Sequence, residues 1–224
     1  MSAAAYFDVD GTLVGTNLIP PTLAYLLNQA SPLDSARRFG RLLLGTPALV
    51  AAELQDRRLF NEELFSHFRG MSEDRMVVLS AEVYKNVVKP NLLPGAKDLI
   101  DQCKRAGMRV VLITGSLDWT MAPLAEYLGA DHCISNRLEL KDGYCTGKLL
   151  RPVVAGPGKA TLIVEDARAH GHDLMKCHAY SDSFSDVPMM SVVGHPICIR
   201  PDARLRKLAE AYHWATVDIS RRTP

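Results

Sequence analysis

Tyr6-Phe7-Asp8-Val9-Asp10-Gly11-Thr12-Leu13-Val14 is the stretch that decides the fold. It joins a short apolar run, two carboxylates one residue apart and a Gly-Thr turn. An open α/β sheet presents this pattern where its first strand delivers residues into a site. Read as a strand over residues 4–9, it places side chains two apart on the same side, which aims Asp8 and Asp10 at one point. Unpaired, the two carboxylates repel and raise one another's pKa. They call for a cation, a shared proton or a reaction that uses both.

Beyond Val14 the character changes. Residues 17–90 are rich in leucine at helical spacing, with Arg and Glu between, and carry breaks at Pro20-Pro21, Ser31-Pro32, Gly45-Thr46-Pro47 and Gly70. This predicts an all-helical stretch. Its most apolar part, residues 42–52, follows the basic trio Arg37, Arg38 and Arg41. Membrane-surface helices share that pattern, but a short run broken at Gly45 and Pro47 favours packing in a small bundle.

From Leu93-Pro94-Gly95 onward, strands alternate with helices. Helices are expected over 94–106, 118–128, 157–171, 187–193 and 202–212, and strands over 108–113, 132–135, 177–181 and 197–200. Asp142-Gly143, between residues 137–141 and 144–148, signals a hairpin. Repeated βα alternation gives an α/β fold with a doubly wound, mainly parallel sheet. The first strand belongs to that sheet, so the expected organisation is a core of residues 1–14 and 92–224 with an inserted helical cap of residues 15–91. A cap entering just after the site-bearing strand is well placed to cover it.

Composition narrows the function classes. In 224 residues, 26 Lys plus Arg against 25 Asp plus Glu give a net charge of +1, which carries no nucleic-acid footprint. The 47% hydrophobic content is that of a globular protein. No apolar run reaches the roughly 18 residues of a membrane span, and Asp8 interrupts any N-terminal signal pattern. The expectation is a cytoplasmic protein without stable membrane insertion. The five cysteines form no Cys-x-x-Cys and read as reduced, apolar filling.

Four segments carry polar residues that such a sheet brings together. Asp8 and Asp10 are the first. Thr114-Gly115-Ser116 follows the 108–113 strand and, at a helix start, would offer N–H groups and a hydroxyl to phosphate oxygens. Lys159 sits in Ala155-Gly156-Pro157-Gly158-Lys159 ahead of a helix. Asp182 and Asp186 follow the 177–181 strand. Alone, each has a plainer reading as a helix cap, a surface lysine or loop polarity. Together they are complementary. Several carboxylates converging with one lysine demand a hard cation such as Mg2+, which usually accompanies phosphate. An aspartate can attack phosphorus to form an aspartyl-phosphate, while a second carboxylate moves the protons. The lysine and the hydroxyl then hold the transferring group's oxygens.

These residues closely resemble the haloacid dehalogenase superfamily of phosphohydrolases. Residues 7–14 match its first motif, Thr114-Gly115 its second, Lys159 its third, and Asp182-Ser183-Phe184-Ser185-Asp186 its fourth. The chain looks like the phosphoserine-phosphatase-like branch (subfamily IB), whose helical cap lies between the first two motifs. The resemblance implies Asp8 as nucleophile, Asp10 as general acid and base, and Thr114, Gly115 and Lys159 as phosphate binders. It implies Mg2+ on Asp8, Asp182 and the backbone carbonyl of Val9 or Asp10, with Asp186 supporting the metal site. Asp10 favours a phosphatase over the dehalogenases, which lack this second aspartate.

Phosphoserine phosphatases carry a glutamate shortly after the first motif for the substrate's amino group and a cap arginine for its carboxylate. Here Asn17 stands at the first position and Leu64 near the second, with Arg57, Arg58 and Arg69 close by. The expected substrate is therefore a small phosphomonoester other than phosphoserine, such as a phosphorylated amino alcohol, histidinol phosphate or a lysophospholipid. A phosphotransferase acting on an alcohol acceptor and a catalytically silent binding protein are the alternatives.

Overall fold

The computed structural model describes residues 2–29 and 31–220; Met1, Ala30 and residues 221–224, which the expected segments include, lie outside the described residues. The first strand, β1 (Ala4–Phe7), is buried along its whole length. Its side chains alternate between two hydrophobic clusters, Ala5 and Phe7 on one face and Ala4 and Tyr6 on the other. Burial on both faces is the mark of a central strand in a parallel sheet.

Four helices follow: α1 (Ile19–Leu27), α2 (Pro32–Gln55), α3 (Arg57–Ser66) and α4 (Glu73–Val83). Pro20 and Pro21 start α1, where their missing N–H groups cost nothing. Asp56 caps α3 by accepting from the Arg58 N–H, and Ser72 caps α4 by accepting from the Arg75 N–H. The expected break at Gly45-Thr46-Pro47 is absent, and α2 runs through it for 24 residues. Pro47 deprives the Leu43 carbonyl of its helical donor. Leu43 is exposed, so solvent replaces the bond and good helix formers carry the helix on.

The rest of the chain supplies α5 (Ala96–Arg105), β2 (Arg109–Leu117), α6 (Asp118–Leu128), β3 (His132–Asn136), β4 (Leu138–Lys141), β5 (Tyr144–Leu149), α7 (Pro157–Ala169), β6 (His178–Ser181), α8 (Val187–Met190), β7 (His195–Ile199), α9 (Ala203–Tyr212) and β8 (Ala215–Val217). The six-stranded sheet has the order β3-β2-β1-β6-β7-β8, and every pairing is parallel. Successive connections run to one side of β1 and then to the other. The crevice beyond the end of β1 is thus a switch point, where open α/β sheets bind ligands.

β4 and β5 form a separate antiparallel hairpin turning at Asp142 and Gly143, both at positive φ. The Gly70 N–H donates to the Cys145 carbonyl and the Cys145 N–H to the Met71 carbonyl, both at 2.8 Å. The hairpin thereby holds the turn between α3 and α4. All five cysteines are free thiols, four of them buried. Among the described residues, no helix is long and apolar enough to cross a membrane.

Candidate active site

The strand expected over 4–9 stops at Phe7, and Asp8 and Asp10 lie in the turn beyond it. The Val9 carbonyl accepts from the N–H groups of Thr12, Leu13 and Val14, which curls the chain at once. Loop geometry rather than strand pleat therefore brings the two carboxylates to a common cavity of about 40 Å3. Gly11, at φ +87°, permits the curl. A Cβ there would lie 2.7 Å from Cγ and 2.9 Å from Oδ1 of Asp182, so the turn closes against the end of β6.

Asp8 is 4% exposed and both its oxygens are engaged. Oδ1 accepts from Lys159 Nζ at 2.7 Å and Oδ2 from the Thr12 hydroxyl at 3.1 Å. Thr12 Oγ1 lies 2.8 Å from Asp182 Oδ1 and accepts from the Asp182 N–H at 3.0 Å, tying Asp8 to Asp182. Lys159, on the first turn of α7, also donates to Asp186 at 3.0 Å, and Ser181 Oγ donates to the same oxygen at 2.8 Å. Asp10 Oδ2 accepts from Thr114 Oγ1 and Ser116 Oγ, each at 2.9 Å.

Asp8, Asp10, Gly115, Lys159 and Asp186 line the cavity; Asp182 joins them through Thr12, and Thr114 through Asp10. One expectation at the second motif needs correcting. Thr114-Gly115-Ser116 is not a helix start, because β2 continues through it to Leu117 and α6 begins at Asp118. Thr114 is fully buried beneath Asp10 and gives its hydroxyl to that carboxylate. Asn17 lines the adjoining groove that shares Leu18 and Arg57 with this cavity; it is exposed, and its Oδ1 accepts from the Ile19 N–H at 3.0 Å. Leu64 is buried in the core. Of the three candidate arginines only Arg57 lines the cavity; Arg58 pairs with Asp56, and Arg69 donates to the Thr146 carbonyl.

Asn61 on α3 carried no motif. It lines the cavity, is 1% exposed, and neither its Nδ2 nor its Oδ1 has a hydrogen-bond partner. A Cβ on Gly115 would meet Asn61 Nδ2 at 2.8 Å, so the glycine makes room for the amide. The available signal was a polar residue on the buried face that α3 forms with Phe60, Leu64 and Phe65. Ser116, Thr12 and Ser181 were also missed as partners of the carboxylates, although all three lie in or beside the motifs.

Electrostatically, the site holds more negative charge than its one buried lysine balances. Burial pushes Asp8 upward, helped by Asp186, Asp182 and Asp10, against the pull of Lys159. Burial likewise pushes Asp10 up, against the hydroxyls of Thr114 and Ser116, and Asp182 up to about 6. Lys159 rises as well, because its attraction to Asp186 and Asp8 outweighs its own burial. A surplus of buried carboxylate suits a divalent cation. Among the described residues no three His, Cys, Asp or Glu side chains form a ready metal cluster. A cation content with one or two protein carboxylates, completed by phosphate and water, fits this donor set.

A model of haloacid dehalogenase-like hydrolases matches residues 5–191. The chain belongs to that family. It is 32% identical over 219 residues to phosphoserine phosphatase SerB1 of Mycobacterium tuberculosis, covering 97% of this chain and 71% of the relative. It is 31% identical over 226 residues to the inhibition of morphological differentiation protein of Streptomyces azureus, covering 97% and 79%. A protein of unknown function from Bordetella pertussis superimposes with a TM-score of 0.81 at 25% identity, over 98% of this chain and 99% of that one. A substrate-bound phosphoserine phosphatase gives 0.70 at 20% identity, over 99% and 94%, a likeness of fold. The matched residues include Asp8, Asp10, Lys159, Asp182 and Asp186.

Proposed function

We propose that the chain is a Mg2+-dependent phosphatase that hydrolyses a small phosphomonoester through an aspartyl-phosphate on Asp8. The observation that carries this reading is the pairing of Asp8, held by Lys159 and Thr12, with Asp10, whose pKa is raised, at one small cavity. Asp8 attacks phosphorus as the bond to the leaving oxygen breaks. Asp10 gives its proton to that oxygen, and a raised pKa suits a general acid near neutrality. Asp10 then takes a proton from the water that attacks the aspartyl-phosphate, releasing phosphate and restoring Asp8. Thr114 and Ser116 hold the Asp10 carboxyl in place. Lys159 and the Gly115 backbone face the phosphoryl oxygens, and Asn61 donates to the bridging or a peripheral oxygen.

Asp8, Asp182 and a backbone carbonyl would hold Mg2+. Val9 already accepts three N–H groups, which directs that role to Asp10. Mg2+ would neutralise charge on the phosphoryl oxygens. Asp186, bonded to Lys159 and Ser181, supports the site from behind. A second reading, phosphoserine as substrate, draws on Arg57 at the cavity, its partner Glu53 and the name of the SerB1 relative.

The test is phosphate release from p-nitrophenyl phosphate with Mg2+. Asp8→Asn is expected to abolish release and keep the fold. Acid-quenched turnover of radiolabelled substrate should leave label on the peptide containing Asp8. Wild-type turnover by Asp8→Asn would remove the nucleophile assignment. Added alcohol separates hydrolysis from transfer by the partition of products.

A further inference from the structure

The longest helix, α2, spends little of its surface on the core. Of its 24 residues only Leu42 is buried, while Leu43, Val50 and Leu54 are 56%, 55% and 83% exposed. These apolar residues recur at helical spacing and face a groove of about 550 Å3, whose other wall includes Leu23 of α1 and Phe60 of α3. Leu18 and Arg57 line both this groove and the 40 Å3 cavity over Asp8 and Asp10. The two spaces therefore adjoin across those side chains.

The volumes divide the substrate. The cavity of about 40 Å3 receives the reacting group, and the groove that shares Leu18 and Arg57 with it offers room for the remainder of the ester. There the remainder meets a mostly aliphatic wall. Glu53 and Arg57, the charged residues on the groove, already pair with each other. An amino acid head group would desolvate its charges there with little return, whereas an alkyl chain would cover surface that α2 leaves in water.

We infer that the groove between α1, α2 and α3 binds the leaving group, and that the substrate is a phosphomonoester of an apolar chain. This rests on the reading that Asp8 receives the phosphoryl group. The occupant is argued from continuity: the groove shares Leu18 and Arg57 with the cavity at Asp8, so it is the apolar space next to the phosphoryl site. A second copy of the chain covering the same leucines is the competing occupant, and phosphoserine is the competing substrate.

The test is a series of n-alkyl phosphates from ethyl to decyl, below their micellar concentrations, with phosphoserine and p-nitrophenyl phosphate alongside. We expect kcat/KM to rise about two- to fourfold per added methylene until the groove is filled, with phosphoserine below hexyl phosphate. Val50→Asp places a charge on the groove wall at an already exposed position, and the hexyl-to-ethyl ratio should collapse in it. A flat series with ethyl phosphate turned over, or phosphoserine preferred to the long esters, overturns the apolar assignment and leaves the phosphatase intact. A flat series with a dimer in ultracentrifugation that Val50→Asp dissociates assigns the groove to a second copy and also overturns it. No release from any ester, p-nitrophenyl phosphate included, overturns the phosphatase reading and the inference together.

Discussion

Replacing Asn61 by leucine should make the protein more stable and less active. The asparagine amide is 1% exposed, with neither its donor nor its acceptor paired, on the face of α3 that packs Leu64 and Phe65 into the core. A buried polar group without a partner costs about 1–3 kcal/mol. Leucine has the same branching and number of side-chain heavy atoms and no such cost, so the variant should gain up to that much where the cavity beside it takes the bulkier methyls. A chain of this length shifts its Tm by about 2–4 °C per kcal/mol, giving a rise of several degrees in a scan without substrate. If the amide meets a phosphate or ester oxygen, its loss removes a hydrogen bond to a charged group. That is worth about 1.5–3 kcal/mol, a fall in kcat/KM of roughly 10- to 100-fold. The assay is thermal unfolding paired with phosphate release from one substrate. A Tm that falls while kcat/KM stays at the wild-type value would refute the reasoning, because the amide would then be structural.

Three further outcomes follow from the same site. Lys159→Met leaves Asp8 and Asp186 buried without their shared cation, and should cost about 3–5 kcal/mol in urea unfolding and abolish turnover; an unchanged midpoint would contradict the buried ion triad. Because Asp8, Asp10 and Asp182 have raised folded pKa values, the native state without metal holds more protons than the unfolded chain above the ordinary carboxylate value near 3.8. Stability from this source is present at the acidic end and lost as pH rises through about 6 for Asp182 and about 8 for Asp8, so Mg2+ should raise Tm more at pH 8 than at pH 5. Equal Mg2+ shifts at both pH values would count against a carboxylate metal site. Gly11→Ala forces a Cβ into the Asp182 carboxylate at a positive φ, and should weaken Mg2+ binding in titration calorimetry while phosphate release falls with it.

Much of this arrangement is legible in the chain because the core obeys local rules. The apolar strands of the sheet, the Asp142-Gly143 hairpin and the 118–128 helix all follow from periodicity and turn chemistry. β8 was not legible, since Ala215–Val217 is a three-residue exposed edge with no hydrophobic pattern. The unbroken α2 was missed because Pro47 costs least where the freed carbonyl faces solvent, and exposure is a tertiary property. At the site, the charged residues announce themselves through spacing along strand ends. At the second motif β2 runs on to Leu117, where a helix start was expected, and Thr114 gives its hydroxyl to Asp10. Asn61 shows the opposite limit: its role depends on where α3 lands against Gly115, a contact across 54 residues of sequence.

The groups this fold leaves poorly satisfied are of three kinds, and one ligand suits all of them. Asp8, Asp10, Asp182 and Asp186 outnumber Lys159, the Asn61 amide has no partner, and α2 keeps leucines in water. Each feature taken alone lowers stability, and a protein selected for stability alone would lose them. They are also adjacent: Asn61 and Arg57 line one cavity with Asp8, Asp10 and Asp186, and Leu18 and Arg57 line the leucine groove as well. A phosphomonoester with its cation and an apolar chain supplies charge to the carboxylates, an oxygen to the amide and a surface to the leucines at once. Binding energy collected along the groove, remote from phosphorus, is then available to position the ester over Asp8. Shortening the chain of the substrate should therefore lower kcat as well as raise KM, and an effect confined to KM would mean that the groove only holds the substrate and does not align it.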